Sequence, residues 1–315
     1  MSETTVAEDL RACRRLLREG SKSFYAASLL LPSRVRDDSG AVYAWCRVAD
    51  HAVDRTMRPA AALESIRTGL ERVYVGRPEG SVERAFADAV FRNRISRDIP
   101  EAMIEGFEWD VGGRRYEATA NLIDYCVRVG ATVGAMMTVV MDRREPEILA
   151  ASCRLGVAMQ LTNIARDVGE DARTGRLYLP QDRLLEAGID PEEWLTSPAP
   201  LEPVRGTVRS LLDDADELYG AAWPGIEGLP TRCRPAIRAA ALVYAEIGRK
   251  VRDADYDSVT QRAWTGKMEK TRLLAQSLGR RPGSWARSDR SAADADCVEL
   301  ADRSAAFLVE AAAGS

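Results

Sequence analysis

Residues 159–180 read Met-Gln-Leu-Thr-Asn-Ile-Ala-Arg-Asp-Val-Gly-Glu-Asp-Ala-Arg-Thr-Gly-Arg-Leu-Tyr-Leu-Pro. As a helix this stretch sets Asn163, Asp167, Glu170 and Asp171 on one face, because residues three and four apart stack. Carboxylates so placed repel each other, so a purely structural role would cost stability. A hard divalent cation reverses that sign: Mg²⁺ takes carboxylate oxygens and keeps positions open for water or phosphate. Arg166 and Arg176 flank the acids, as suits an anion shared between a metal and a guanidinium. The helix is expected to end near Thr174-Gly175, since glycine is the usual stop and Pro180 cannot continue it.

Taken alone, such an acidic face is most often simply solvated. A second site upstream shifts the balance. Cys46-Arg47-Val48-Ala49-Asp50-His51-Ala52-Val53-Asp54 again sets two aspartates four apart, with an arginine one turn before them. The preceding run, Ala41 to Cys46, is apolar, so this helix is expected to be buried, and buried acids need partners. Two such helices suggest two metal clamps facing across a cavity.

The motif N-x-x-x-D-x-x-E-D followed by Gly-Arg-Leu-Tyr-Leu-Pro, and preceded by C-R-x-x-D-x-x-x-D, resembles the squalene/phytoene synthase family. Ser21-Lys22-Ser23-Phe24, Tyr125-Cys126 with Gly134, and Tyr256-Asp257 with Arg262 extend the likeness over roughly residues 15–278. Glu105-Gly-Phe-Glu-Trp-Asp110 also resembles a family segment with an aspartate in that place. The resemblance implies an all-α chain: one catalytic domain of the isoprenoid synthase fold over 1–279, its helices around an apolar cavity with two facing Asp-rich motifs. Residues 280–315 form a polar, alanine-rich tail outside it, in which Val298, Ala301, Ala305 and Leu308 carry a weak amphipathic pattern.

Composition excludes several classes. Lys and Arg number 44 against 48 Asp and Glu, a net charge of −4, which does not suit a nucleic-acid binder. The six cysteines (13, 46, 126, 153, 233, 297) include no C-x-x-C pair and read as reduced core residues. The N-terminus has no charged start followed by an apolar stretch, as a signal peptide would. The longest apolar run, Val129 to Met141, falls short of the ~20 residues a bilayer span needs, and is expected to be a core helix. These features predict a soluble, cytoplasmic protein, and the apolar product that the resemblance implies adds peripheral contact with the inner face of the membrane. Oligomeric state is not legible.

Helical patterns are expected over 6–19, from Ser33 to a break near Pro59, and over 60–75, 81–93, 98–111, 125–141, 146–172, 204–222 and 233–254. A proline-rich loop is expected over 196–203 and a second break from Pro224 to Pro235. No stretch alternates as a strand would. Gly20 to Ser23 lacks the upstream glycine and Gly-Lys-Ser order of a P-loop, and reads either as a turn presenting hydroxyls and Lys22 to phosphate or as a simple N-cap. Gly130 and Gly134 form a small face for a neighbouring backbone or a slender isoprenoid.

The family joins two allylic diphosphates head to head. Geranylgeranyl diphosphate giving phytoene through prephytoene diphosphate, a prenyltransferase step of carotenoid biosynthesis, is the leading expectation. Farnesyl diphosphate giving presqualene diphosphate or squalene is the alternative, and a non-catalytic binding subunit a third, against which the four retained aspartates argue. Diphosphate leaves only when its charge is neutralised. The resemblance therefore implies Mg²⁺, or Mn²⁺, held by Asp50, Asp54, Asp167 and Asp171 with Glu170, and phosphate partners in Ser21, Lys22, Arg47, Arg166 and Arg176. NADPH is not expected. The carbocation must be kept from water in an aromatic-lined pocket, for which Phe24, Tyr43, Met159, Asn163 and the helix from Tyr125 are candidates. A base must end the reaction, and Tyr125, Tyr178, Tyr244 and Tyr256 are the unranked choices. In one departure, His51 stands where many phytoene synthases carry a second acid; helix geometry turns it about 100° from Asp50, away from the pair.

Overall fold

Residues Pro146–Arg173 form the axis of the molecule, for a reason that lies in their composition. From Leu149 to Ala158 the helix is apolar or small nearly all round, and Leu149, Ala151, Cys153, Leu155, Gly156, Val157 and Ala158 are all buried. A helix with no polar face has to be enclosed. It ends at Arg173, and Gly175 turns the chain at φ +77°, a left-handed conformation that favours glycine. The computed structural model describes residues 3–54, 56, 58–279 and 296–314, and over these it contains helices and no strand.

In chain order the helices are α1 (Glu3–Gly20), α2 (Lys22–Ser28), α3 (Ser33–Asp54), α4 (Pro59–Tyr74), α5 (Gly80–Asn93), α6 (Asp98–Val111), α7 (Thr119–Cys126), α8 (Thr132–Val140), α9 (Pro146–Arg173), α10 (Gln181–Glu186), α11 (Pro191–Thr196), α12 (Glu202–Gly228), α13 (Arg234–Asp253), α14 (Lys267–Ser277) and α15 (Cys297–Ala313). A single π-helical turn, Val127–Ala131, joins α7 to α8 without a break. Around α9 pack α8, α12, α13 and α15, while α3 packs on α8 and is flanked by α1, α4 and α5.

Small residues let the central helices approach almost to backbone contact. A Cβ at Gly130 would lie 2.5 Å from Gly156 O, and one at Gly134 would strike Ser152 O. The glycine face of the sequence is therefore filled by α9. Two helical stretches, Thr119–Val140 and Pro146–Arg173, are long and apolar enough to cross a bilayer. They are the two that meet here, each with 61% of its most apolar window buried in the bundle. All six cysteines are free thiols.

Three stretches differ from the sequence expectation. α12 runs through Pro224 to Gly228, where a break at Pro224 was expected. Contacts with α9 hold it: a Cβ at Gly225 would run into Ala151, and one at Gly228 into Ile148. Tertiary packing there outweighs the hydrogen bond that proline removes. The short helices α2, α10, α11 and α14 carry too few turns for a period to show. Residues 297–313 form the helix that the amphipathic pattern of the tail allows, α15, but it packs on the bundle instead of lying outside it, burying Cys297, Ala301, Ala305, Leu308 and Ala312 and anchored by Arg154 to Asp302 at 2.6 and 2.7 Å. The rest of that tail, 280–295 and Ser315, lies outside the described residues.

Candidate active site

Between α2, α3, α6, α8, α9, α12 and α13 lies a cavity of about 360 Å³. Its floor is apolar, with Met137, Met141, Ile148, Ile226, Leu229 and Ile237. Its other end is polar, with Tyr43, Arg47, Asp50, Asp110, Tyr125, Asn163 and Tyr244. Of the two acid motifs only Asp50 lines this polar end itself; Asp54 and Asp171 act by their charge on Asp110, which lines it.

On α3, Arg47 Nη1 donates to Asp50 Oδ2 at 2.7 Å, and its buried Nε has no hydrogen-bond partner. Gly20 makes room for this group, because a Cβ there would press on Tyr43 Oη and Arg47 Nε. Burial raises Asp50 above the usual carboxylate range and the charge of Asp54 adds to it, while Arg47 and His51 oppose. His51 is half-buried and not part of the cavity lining, yet its charge is felt by Asp50. Asp54 accepts from Arg176 Nη2 at 2.6 Å.

On α9, Arg166 grips Asp167 with both ends of its fork, Nε to Oδ1 at 2.7 Å and Nη2 to Oδ2. Arg262 adds a second guanidinium, with Nε 2.7 Å from Asp167 Oδ1 and 3.2 Å from Glu170 Oε2. Burial works to raise Asp167, but the hydrogen bonds from Arg166 and Arg262 outweigh it and hold the acid below its ordinary value. Asp171 has no such support: its carboxylate makes no hydrogen bond or ion pair with the described residues. Burial, with Asp167, Asp110 and Glu170 adding their charges, pushes it up to about 7 against Arg176.

A third acid lies between the pairs. Asp110, from α6, accepts from Tyr125 Oη at 2.8 Å and from Tyr178 Oη at 2.7 Å. The rings of Tyr125 and Tyr178 stack with centroids 5.1 Å apart, and Tyr116 packs against both. Burial pushes Asp110 up to about 6, although both phenol hydrogen bonds and Arg176 pull the other way. Nearer α2, Phe24 stacks on Tyr244 at 5.2 Å and meets Tyr43 edge-on at 6.1 Å.

The structure assigns some sequence candidates to other work. Ser21 is the N-cap of α2, its Oγ accepting from Phe24 N at 3.2 Å, and that bond sets Lys22 and Phe24 on the first turn. Tyr256, a candidate base, is outside the cavity lining, with Arg209 over its ring at 4.5 Å. It sits with Asp255 in a left-handed turn, at φ 57° and 53°. Asp257 braces that turn by accepting from Val259 N and Thr260 N at 3.1 and 2.9 Å, and Gly169 N of α9 donates to Ser258 O at 2.9 Å. The Tyr256-Asp257 motif thus docks a turn on α9 and holds Arg262 over Asp167.

Sequence reasoning missed the function of Arg262, which had only been noted within a motif, and all of Lys270. Burial, and then the charge of Lys22, hold Lys270 below its ordinary value, which brings the two amines within range of each other's charge. No periodicity points to a pair contributed by α2 and α14.

Among the described residues no three His, Cys, Asp or Glu side chains gather as a ready-made metal cage. The acids come in pairs, which fits Mg²⁺, an ion bound through one or two carboxylates and completed by phosphate and water. The upward shifts of Asp50 and Asp171, each caused in part by a neighbouring acid, mark places where a cation would relieve repulsion.

A squalene/phytoene synthase family model matches residues 17–272. The chain is 50% identical over 273 residues to a phytoene synthase of Rhodobacter capsulatus, covering 85% of this chain and 80% of that one. It is 39% identical over 270 residues to a phytoene synthase of Thermus thermophilus, covering 86% and 92%. Among solved structures, a dehydrosqualene synthase in complex with a ligand superposes with a TM-score of 0.78 at 30% identity, covering 86% of this chain and 96% of that one.

Proposed function

We propose, for a chain that belongs to the squalene/phytoene synthase family, that it joins two geranylgeranyl diphosphates head to head into phytoene through prephytoene diphosphate. The observation that carries this reading is one apolar cavity whose polar end holds Asp50 and Asp110, with Asp54 and Asp171 close enough to act on Asp110, in a chain 50% identical to a phytoene synthase.

Asp50 and Asp54 on one side, and Asp167, Glu170 and Asp171 on the other, would hold Mg²⁺, which supplies charge neutralisation for the departing diphosphate. The cations around them are arranged to meet phosphate oxygens. Arg47 lines the polar end, its Nε without a hydrogen-bond partner among the described residues, and Lys22 with Lys270 adds a second pair of positive charges. Arg176 acts on Asp54, Asp110 and Asp171 together, so it is placed to follow charge as it moves between the pairs. Arg166 and Arg262 hold Asp167 ionised, so that it stays a ligand.

Once diphosphate leaves, the residues below it have to exclude water and face a cation. Phe24, Tyr43 and Tyr244 offer ring faces there, and Tyr125 lines the same cavity. Asn163, which also lines the cavity, donates to Gln160 Oε1 at 3.4 Å. For the final proton loss, Asp110 with Tyr125 and Tyr178 is better placed than Tyr256: Asp110 and Tyr125 line the cavity, and Asp110 can take a proton near neutral pH.

The test is purified protein with Mg²⁺ and either geranylgeranyl or farnesyl diphosphate, with and without NADPH, products extracted and weighed. Phytoene formed from the longer substrate without NADPH is the expected result. Squalene or presqualene diphosphate formed in preference from the shorter substrate would move the chain to the other branch of its family. That branch has its own support in the 30% identical dehydrosqualene synthase.

A further inference from the structure

Four large apolar side chains stand in solvent at the end of α2, in the loop before α14 and along α14. Leu29 at the end of α2 is 54% exposed, Trp264 and Met268 at the start of α14 are 73% and 88% exposed, and Leu278 at its end is 66% exposed. Both α2 and α14 pack on α13. Phe24 and Ala27 of α2 line the cavity, and Leu274 of α14 packs on the apolar cluster to which Ala27 belongs. Because α14 buries Leu273 and Ser277, its outer face carries Met268, Arg272, Ala275 and Leu278, a solvent-exposed stripe at helical spacing in which Arg272 reaches Glu246 of α13 at 3.5 Å.

This end is also basic within an acidic chain. Of 44 basic residues only four are lysines, and all four (Lys22, Lys250, Lys267 and Lys270) lie on α2, α13 and α14, in a chain of net charge −4. Lys250 takes up Glu269, the one acid of α14, at 2.7 Å. Lys22, Lys267 and Lys270 are left with no ion-pair partner among the described residues. A largely exposed indole and thioether beside ammonium groups suit a boundary between headgroups and acyl chains. There the apolar parts enter the lipid and the lysines extend to anionic headgroups.

We propose that the end of α2, the loop through Trp264 and the outer face of α14 form a docking surface for an anionic lipid bilayer. Docked there, α2 brings the cavity it lines beside the membrane, and polyprenyl chains pass between lipid and cavity without crossing water. The nature of that cargo rests on the reaction proposed above; the surface itself is read from the exposed side chains and their charge.

Co-sedimentation of the full chain with vesicles tests this, using phosphatidylcholine alone and phosphatidylcholine mixed with phosphatidylglycerol. The native protein should sediment with the anionic vesicles and be released by high salt. Trp264→Ser with Met268→Ser should weaken partitioning about tenfold or more, because both apolar anchors are lost. Lys267→Glu should weaken it on anionic vesicles only. Both variants should keep the native melting temperature and native diphosphate release in detergent micelles, since none of these three residues lines the cavity. Failure of the native protein to sediment with anionic vesicles, or a double variant that sediments as the native protein does, overturns the proposal. A protein that binds vesicles but releases no diphosphate in micelles contradicts the reaction and leaves the surface standing.

Discussion

Arg176 and Asp54 are 122 positions apart in the chain, yet Arg176 Nη2 donates to Asp54 Oδ1 at 2.6 Å. This ion pair ties the segment that follows the second acid motif to the last acid of the first. It places the two motifs on one volume, as paired clamps require. Both side chains are about a third exposed, so the bond itself contributes little to stability, on the order of 0.2–1 kcal/mol. Its value is in position.

Arg176→Ala and Arg47→Ala should therefore lower kcat about 10²-fold or more, the size seen when a preorganised charge-stabilising donor is lost. Lysine should restore only part, because it keeps the charge and loses the fork. Melting temperature should barely move. Alanine variants that keep kcat and melt several degrees lower would make these arginines structural partners of Asp54 and Asp50 and nothing more.

Asp110 gives a pH signature. Its carboxyl ordinarily titrates at 3.8 and in the fold at about 6. A folded value raised above the unfolded one contributes stability that is fully present below the unfolded value and lost as pH rises through the folded one. Between about pH 4 and pH 7 the native protein should therefore lose more unfolding free energy than Asp110→Asn, as measured by urea denaturation. Tyr125→Phe and Tyr178→Phe each remove a hydrogen bond that lowers Asp110, and should move the loss to higher pH. Equal pH slopes for the native protein and Asp110→Asn would show that this carboxyl titrates normally.

Gly169 is where α9 meets the turn that carries Arg262. A Cβ there would drive into Val259 O, which is backbone and cannot step aside. Gly169→Ala should cost about 1–3 kcal/mol by overpacking, and should cut activity further by moving Arg262 away from Asp167. The urea midpoint gives the first effect and kcat the second. A variant as stable and as active as the native protein would mean that the turn does not position Arg262.

How much of this was legible in the sequence depended on the range of the interaction. The acid pairs and their arginines are a matter of helical spacing, and α3 and α9 present them as the pattern requires. The end of α9 at Gly175 was readable because one residue decides it. What could not be read was long-range. Asp110, Tyr125 and Tyr178 come from three separate segments, and no local pattern announces that two phenols converge on one carboxylate. Tyr256 was misplaced because a motif shows that a residue matters and not why; here it turns the chain so that Arg262 reaches α9. Pro224 looked like a break, but proline's preference is weak against a helix face packed on α9. Lys270 was invisible because α14 is short and its partner Lys22 lies at the other end of the chain.

The measurement that tests the central claim most directly is geranylgeranyl diphosphate turnover by the native protein, Asp50→Asn and Asp167→Asn, each titrated with Mg²⁺ and then with excess chelator, with released diphosphate and phytoene both quantified. If the two acid pairs hold the metal that frees the leaving group, the native protein makes phytoene only with the cation. Each asparagine variant then loses most turnover while keeping its helical content and melting transition. Full turnover in chelator, or asparagine variants as active as the native protein, would contradict the account.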